Sequence, residues 1–317
     1  MRTYLDFEKP IAELESKVEE LKSLEDNGNG VPIAEEIATL EAKAQQALEH
    51  TYATLTPWQK TQVARHPERP HCLDYIHALI DEFIPLAGDR FFAEDHAIVG
   101  GLGRFRGEPV MVIGQEKGSN TEARLEHNFG MARPEGYRKA IRLMSMAEKF
   151  SLPVLTFVDT PGAYPGVGAE ERGQAEAIAR SIDRCMSLGV PIIAIVIGEG
   201  GSGGAVAIAT ANYVVMLEHA IYSVASPEAA ATILWHDSNR AKDAATSMRI
   251  TAEDLKDFGV VDSVVPEPLG GAHRDRKQVL EAVGQEISGA LMVFEDMDED
   301  QIRSHRREKF LSMGVDF

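Results

Sequence analysis

Between residues 109 and 265 the chain alternates short β-branched runs with stretches of helical periodicity, and this alternation constrains the fold more than any other feature. The runs lie at 109–113, 153–158, 191–197, 213–217 and 260–265, with helical signals near 135–150, 170–188, 203–211 and 227–257. Strands that alternate with helices are joined by right-handed crossovers, so the pattern predicts an α/β fold with a largely parallel sheet buried by helices. Two runs follow Leu152-Pro153 and Val190-Pro191, where proline stops the preceding helix.

Ahead of this block, Ile11, Leu14, Val18 and Leu21 fall at three- and four-residue spacing on a charged background, then break at Asp26-Asn27-Gly28-Asn29-Gly30. A second amphipathic helix begins near Pro32 and carries Ile37, Leu40, Ala44 and Leu48. Neither seam is long enough to be stable alone, so the two are expected to pair as an antiparallel hairpin over residues 1–60. The hairpin either packs on its own body, residues 61–317, or serves as an arm that grips a partner subunit. A Pro-rich connector at 66–70 and a helix at 73–84 lead into the body. The tail after Gln278 reads as one helix whose charged end (Arg303, Arg306, Arg307, Glu308, Lys309) is a solvated face.

With 50 acidic against 32 basic residues the formal charge is -18, a field that repels nucleic acid and anionic lipid. Any anionic substrate must therefore be held by a local site. Two cysteines, Cys72 and Cys185, exclude a disulfide framework and a four-cysteine zinc site within the chain, and read as buried thiols. The ten histidines form no HExxH and no compact cluster, so no metal is assigned. The first residues, MRTYLDFEKP, lack an apolar leader, and the longest apolar run, near 191–198, falls far short of the ~20 residues that span a bilayer. A soluble cytoplasmic protein is expected.

Three segments carry candidate chemistry. Asp159-Thr160-Pro161-Gly162 imitates the DxxG of GTPases, but the chain holds no GxxxxGK[ST] loop to cradle phosphates. Gly200-Gly201-Ser202-Gly203-Gly204 fits G-x-S-x-G between a strand and a helix, so Ser202 is a candidate nucleophile with a later acid and His273. Yet five of the seven residues from Gly198 to Gly204 are glycine, which gives a second reading. Without Cβ atoms the backbone of Gly203 and Gly204 approaches a ligand closely, and amides at a helix start form an oxyanion hole. A third reading has the glycines serve only tight packing of helix on strand. The loop Gly162-Ala163-Tyr164-Pro165-Gly166-Val167-Gly168 also leaves a strand end and enters a helix, where Glu170 and Glu171 suit the positive end. Ligands collect at the carboxyl ends of parallel strands, so both loops are expected to face one cleft.

Residues 158–166, running on through Gly168-Ala169-Glu170-Glu171-Arg172-Gly173-Gln174, together with 198–205, Asn128-Phe129-Gly130-Met131, Pro134-Glu135-Gly136-Tyr137-Arg138-Lys139-Ala140 and 266–274, resemble the carboxyltransferase alpha subunits of multi-subunit acetyl-CoA carboxylase. The resemblance is densest from about 128 to 275 and extends over nearly the whole chain. It implies a crotonase-like (ClpP/crotonase) fold of repeated ββα units. It also implies a beta subunit with a zinc ribbon that binds acetyl-CoA, an alpha2beta2 assembly, and carboxybiotin carried on a biotin carboxyl carrier protein. A biotin carboxylase, which spends the ATP, would charge that carrier, and the product would be malonyl-CoA for fatty acid synthesis. Carried over residue by residue, the Gly203 and Gly204 amides bind the ureido oxygen of biotin. Gly162, Ala163, Tyr164, Pro165, Gly166, Val167, Gly200, Gly201 and Ser202 line the substrate, while Tyr137, Arg138, Lys139 and His273 are secondary candidates. Segment 116–127 is less basic than the resemblance implies, which argues against a phosphate grip there. The rival readings are a self-sufficient crotonase-family acyl-CoA enzyme with a poised carboxylate, a serine hydrolase using Ser202, and a non-catalytic scaffold using the hairpin.

Overall fold

The computed structural model describes residues 2–26 and 34–315, so Asn27 to Gly30 and Pro32, where the hairpin turn is expected, lie outside the described residues. Helices α1 (Lys9–Asp26) and α2 (Ala34–Tyr52) bury Ile11, Val18, Ile37, Ala44 and Leu48, the residues their periodicity selects. Lys22 bridges to Glu41 at 2.6 Å between them. The base of the pair is fastened to the body. Ile11, Leu48 and Tyr52 pack with Val63 of α3 (Pro57–Ala64), a helix the sequence reading missed, and Arg274 reaches Glu15 at 2.6 Å. Helix α3 is started by a Thr56/Gln59 capping box with Pro57 in its first turn.

Helix α4 (Cys72–Leu79) is shorter than the 73–84 expected, because residues 80–85 form the edge strand β1 (Ile80–Pro85). There follow β2 (Ile98–Phe105), β3 (Glu108–Gln115), α5 (Thr121–Glu126), α6 (Pro134–Lys149), β4 (Val154–Thr160), α7 (Val167–Glu171) and α8 (Gln174–Ser187). Next come β5 (Ile192–Gly201), α9 (Ser202–Ala209), β6 (Tyr213–Leu217), β7 (Ile221–Ser223), α10 (Pro227–Trp235), α11 (Ala241–Met248) and α12 (Ala252–Asp257). The chain closes with β8 (Ser263–Val265), α13 (Arg276–Met292) and α14 (Glu299–Ser312). The sheet order is β1-β2-β3-β4-β5-β6-β8, with β7 added to the end of β5. It is parallel from β3 onward and antiparallel across β1, β2 and β3. Every residue of β4 and β5 is buried, as parallel strands covered on both faces require. The strand pair β2-β3 is followed by the short α5 and then α6, the pair β6-β7 by α10, and the architecture is the crotonase-like α/β fold.

Two expectations need correction. The stretch 227–257 is three α-helices with a short 3-10 helix (Ser238–Arg240) between the first two, and the tail is two α-helices. The tail's charged end is not all solvated: Arg306 is fully buried and donates to the carbonyls of Cys185, Leu188 and Val190, while Lys309 pairs with Asp262. Arg306 thereby caps the carboxyl end of α8, a place where cations are favoured. Both cysteines are buried and free. Among the described residues no helix is long and apolar enough to cross a membrane.

One irregularity aims the site. From Val158 to Thr160 of β4 the chain advances two residues, while the facing part of β5 advances from Val196 to Gly200. Pairing with β4 resumes at Thr160 and Gly200, while on the other side of β5 the ladder with β6 ends at Val196 and Glu199 to Gly201 pair with β7 instead.

Candidate active site

Strands β4 and β5 run parallel and end together, which brings the 161–166 loop against the first turn of α9. The contact is between backbones: a Cβ on Gly204 would stand 2.7 Å from the carbonyl carbon of Gly162 and 2.9 Å from the amide of Ala163. A Cβ on Gly201 would stand 2.3 Å from the carbonyl oxygen of Pro161. These two glycines are required by close approach, whereas a Cβ on Gly203 would meet only Ile178 at 3.5 Å. The loop is pinned from behind. Gln174 donates to the carbonyls of Ala132 and Tyr164, each at 2.9 Å, and the Arg133 guanidinium lies 4.7 Å above the Tyr164 ring. Pro165 and Val167 are exposed, and Gly166 sits beside the Tyr164 ring.

Ser202 begins α9 with φ at 52°, a left-handed conformation costly for a residue with a side chain. A nucleophile elbow would be strained in the same way. Among the described residues, however, no histidine or carboxylate is hydrogen-bonded to Ser202. His273 is elsewhere, stacked on His66 at 3.7 Å, and its pKa is lowered to about 3 by burial and by the charges of His66, Arg69 and Arg274. The strained turn does direct the first-turn N–H groups of α9, which have no acceptor inside a helix, out of its amino end.

Two openings flank the turn. On one side Ser202, Gly203, Val206, Tyr222, Val224 and Leu255 line an apolar cavity of about 360 Å³. On the other, Arg65, Lys117, Arg124, Phe129, Asp159 and Glu199 line a charged one of about 260 Å³. Four of the charged groups on that side pair with one another or with Glu228, while Arg124 donates to the Gly118 carbonyl. Lys117 reaches Asp159 at 2.7 Å and Glu199 at 3.5 Å, and Arg65 reaches Glu199 and Glu228 at 2.6 Å each. Burial alone would raise the Glu199 carboxyl, but the Lys117 and Arg65 charges outweigh it and hold the pKa below its ordinary value. Burial would likewise lower Lys117, and Asp159 with Glu199 raise it instead. Lys117 is therefore a locked cation rather than a free one.

The secondary candidates separate. Tyr137 is fully buried in the main core with its hydroxyl unpartnered, and Lys139 is buried against Glu94 and the Ile98 carbonyl. Both side chains are internal, where the sequence alone leaves them as surface or interface groups as readily as ligand contacts. Arg138 is half-buried and donates to the Arg172 carbonyl at 2.6 Å. Sequence reasoning overlooked Gln115, Lys117, Asp159 and Glu199. The available signal was charge or amide at the carboxyl ends of otherwise apolar strands, where only a network makes burial tolerable. Among the described residues no group of three His, Cys, Asp or Glu side chains could hold a metal ion.

The family described as acetyl co-enzyme A carboxylase carboxyltransferase-like matches residues 4–314. An acetyl-coenzyme A carboxylase carboxyl transferase subunit alpha from Rhodopseudomonas palustris (strain HaA2) is 66% identical over 314 residues, covering 99% of this chain and 98% of the relative. The subunit of the same description from Methylobacterium nodulans is 65% identical, covering 99% of each. Among solved structures, a transcarboxylase 12S superposes with a TM-score of 0.57 at 19% identity over 70% of this chain and 40% of that one. A Pseudomonas malonate decarboxylase hetero-dimer superposes with a TM-score of 0.54 at 18% identity, over 68% of this chain and 87% of that one. At such identities the two structures speak for the fold, whereas the family match and the two relatives span nearly the whole sequence. The chain therefore belongs to the acetyl co-enzyme A carboxylase carboxyltransferase-like family.

Proposed function

We propose that this chain is the half of an acetyl-CoA carboxylase carboxyltransferase that receives carboxybiotin, and that the Gly203 and Gly204 amides are its oxyanion hole. The observation that carries the reading is the backbone contact of Gly204 with Gly162 and Ala163, which leaves no room for a side chain where the α9 amides emerge. Carboxybiotin, presented on a biotin carboxyl carrier protein charged by an ATP-consuming biotin carboxylase, supplies the carboxyl group. As its C–N bond breaks, negative charge gathers on the ureido oxygen, and two preorganised N–H donors at a helix start stabilise that charge. The 162–167 loop and residues 200–202 shape the opening around it. Asp159 and Glu199, held by Lys117 and Arg65, position strand ends. The locked pairing disfavours a self-sufficient acyl-CoA enzyme, which would need a carboxylate free to meet the thioester.

Acetyl-CoA would be held by a beta subunit bearing a zinc ribbon, in an alpha2beta2 complex, with malonyl-CoA for cytoplasmic fatty acid synthesis as the product. The -18 charge supports this division, because the chain offers a polyanionic coenzyme no general attraction. Carboxyl transfer from malonyl-CoA to biocytin tests the proposal, run with this chain, with a beta subunit, and with both. Transfer only by the mixture is expected. Transfer by this chain alone would point to a self-sufficient enzyme, and none by a verified complex would overturn the reading.

A further inference from the structure

Gln115 closes β3 with a side chain fully shielded from solvent. Its Nε2 donates to the Gly204 carbonyl at 2.7 Å, and its Oε1 accepts the Asp159 amide at 3.1 Å. Each partner can play only one role, carbonyl as acceptor and N–H as donor, so the amide has one workable orientation. One side chain thus ties the end of β4 to the first turn of α9. Asp159 extends the tie, because its Oδ1 accepts the Glu199 amide at 2.9 Å and the Lys117 ammonium at 2.7 Å. Strand ends β3, β4 and β5 are joined in one buried circuit.

The circuit answers a problem that the glycines create. Close approach requires glycine at 201 and 204, yet glycine has the widest backbone freedom, and freedom is what an oxyanion hole must lack. Nothing on a glycine itself can restore the constraint. Resting on the function proposed above, we infer that Gln115 is a positioning residue for the reaction: it never touches substrate, but by holding the Gly204 carbonyl it fastens the first turn of α9, which carries the Gly203 and Gly204 amides, to the end of β4.

Two variants of the chain, each assembled with its beta subunit, test this in the malonyl-CoA to biocytin assay. Gln115→Met keeps the bulk and removes both bonds. It is expected to lower kcat about 10- to 100-fold, the cost of small misplacements at a reacting centre, with KM for malonyl-CoA nearly unchanged. Hydrogen exchange in peptides covering 200–206 is expected to quicken in this variant. Gln115→Glu can donate to the Gly204 carbonyl only while protonated, in surroundings that hold Asp159, Glu199, Lys117 and Arg65. Its kcat should fall as pH rises through that titration, a slope absent from the native complex. A merely structural role would move stability without giving that pH profile. Native kcat in an assembled Gln115→Met complex, or a Gln115→Glu profile parallel to native, overturns the inference. If Gln115→Met does not assemble, Gln115→Glu decides alone. A native complex without transfer overturns the proposed function itself, and unchanged 200–206 exchange in Gln115→Met would then overturn the positioning role too.

Discussion

Arg69 and Glu267, 198 residues apart in the chain, meet through two 2.7 Å contacts, and their side chains are 3% and 0% exposed. Glu267 also accepts the amides of His219 and Ala272, and Arg69 donates to the Ile197 carbonyl, so the pair clamps the start of the body to its far end. Burial would raise the Glu267 carboxyl, yet Arg69 and the His219 amide lower it to about 2. A carboxyl depressed on folding contributes stability that is complete above its unfolded pKa, about 4.3. That contribution is lost as pH falls toward 2. Urea unfolding is expected to show native stability dropping between pH 4.5 and 2, with Glu267→Gln dropping less steeply over this window. At neutral pH, Glu267→Gln should already cost about 3–5 kcal/mol, because Arg69 stays buried without its countercharge.

The two hole glycines should respond differently. Gly203→Ala adds a methyl at ordinary contact distance and is expected to fold with modest loss of transfer. Gly204→Ala drives a methyl into the Gly162-Ala163 peptide and should lower kcat by about 100-fold or more, as loss of an oxyanion donor does. Steady-state kinetics of both variants in complex, with circular dichroism to verify folding, gives the comparison. Equal losses would count against the backbone contact as the cause.

Ser202 offers a separate check. Ser202→Ala is expected to keep most of its transfer activity, and a fluorophosphonate should leave the native protein unlabelled. Ser202→Gly relieves the 52° φ and is expected to stabilise the fold by about 0.5–1 kcal/mol, read from the urea midpoint.

Arg306 donates to three carbonyls and to the Asn212 side chain, with no carboxylate partner among the described residues, and burial lowers its pKa to about 10. Arg306→Met strands those acceptors in the interior. A loss of about 3–5 kcal/mol in urea unfolding is expected, with faster exchange across residues 299–312.

The parallel strands were legible because buried β-branched runs between prolines and glycines have few alternatives. Strand β2 was not, since Gly100, Gly101 and Gly103 break every propensity signal. Its glycines answer to tertiary neighbours: Cβ atoms there would strike Leu143 Cδ1 at 2.4 Å, the Ile84 carbonyl at 2.1 Å and Ile80 Cγ2 at 2.2 Å. Helix α6 and strand β1 press on β2 from positions that local reading does not see. Arg306 was misread for the same reason, since a charge run looks solvated until another helix end supplies its acceptors. Within the candidate site the glycine turns announced themselves by composition, while Gln115 and Lys117 offered only polarity at the end of an apolar strand, a signal that acquires meaning when three strand ends converge.

Strand β1 leaves one flank of the sheet open, and its ladder is broken between Asp81 and Ile84, where Glu82 takes a φ of 51°, before ending at Pro85. A strand arriving from another molecule finds no straight row of donors and acceptors there. Copies of this protein crowded together are thereby discouraged from zipping through that flank into a continuous sheet.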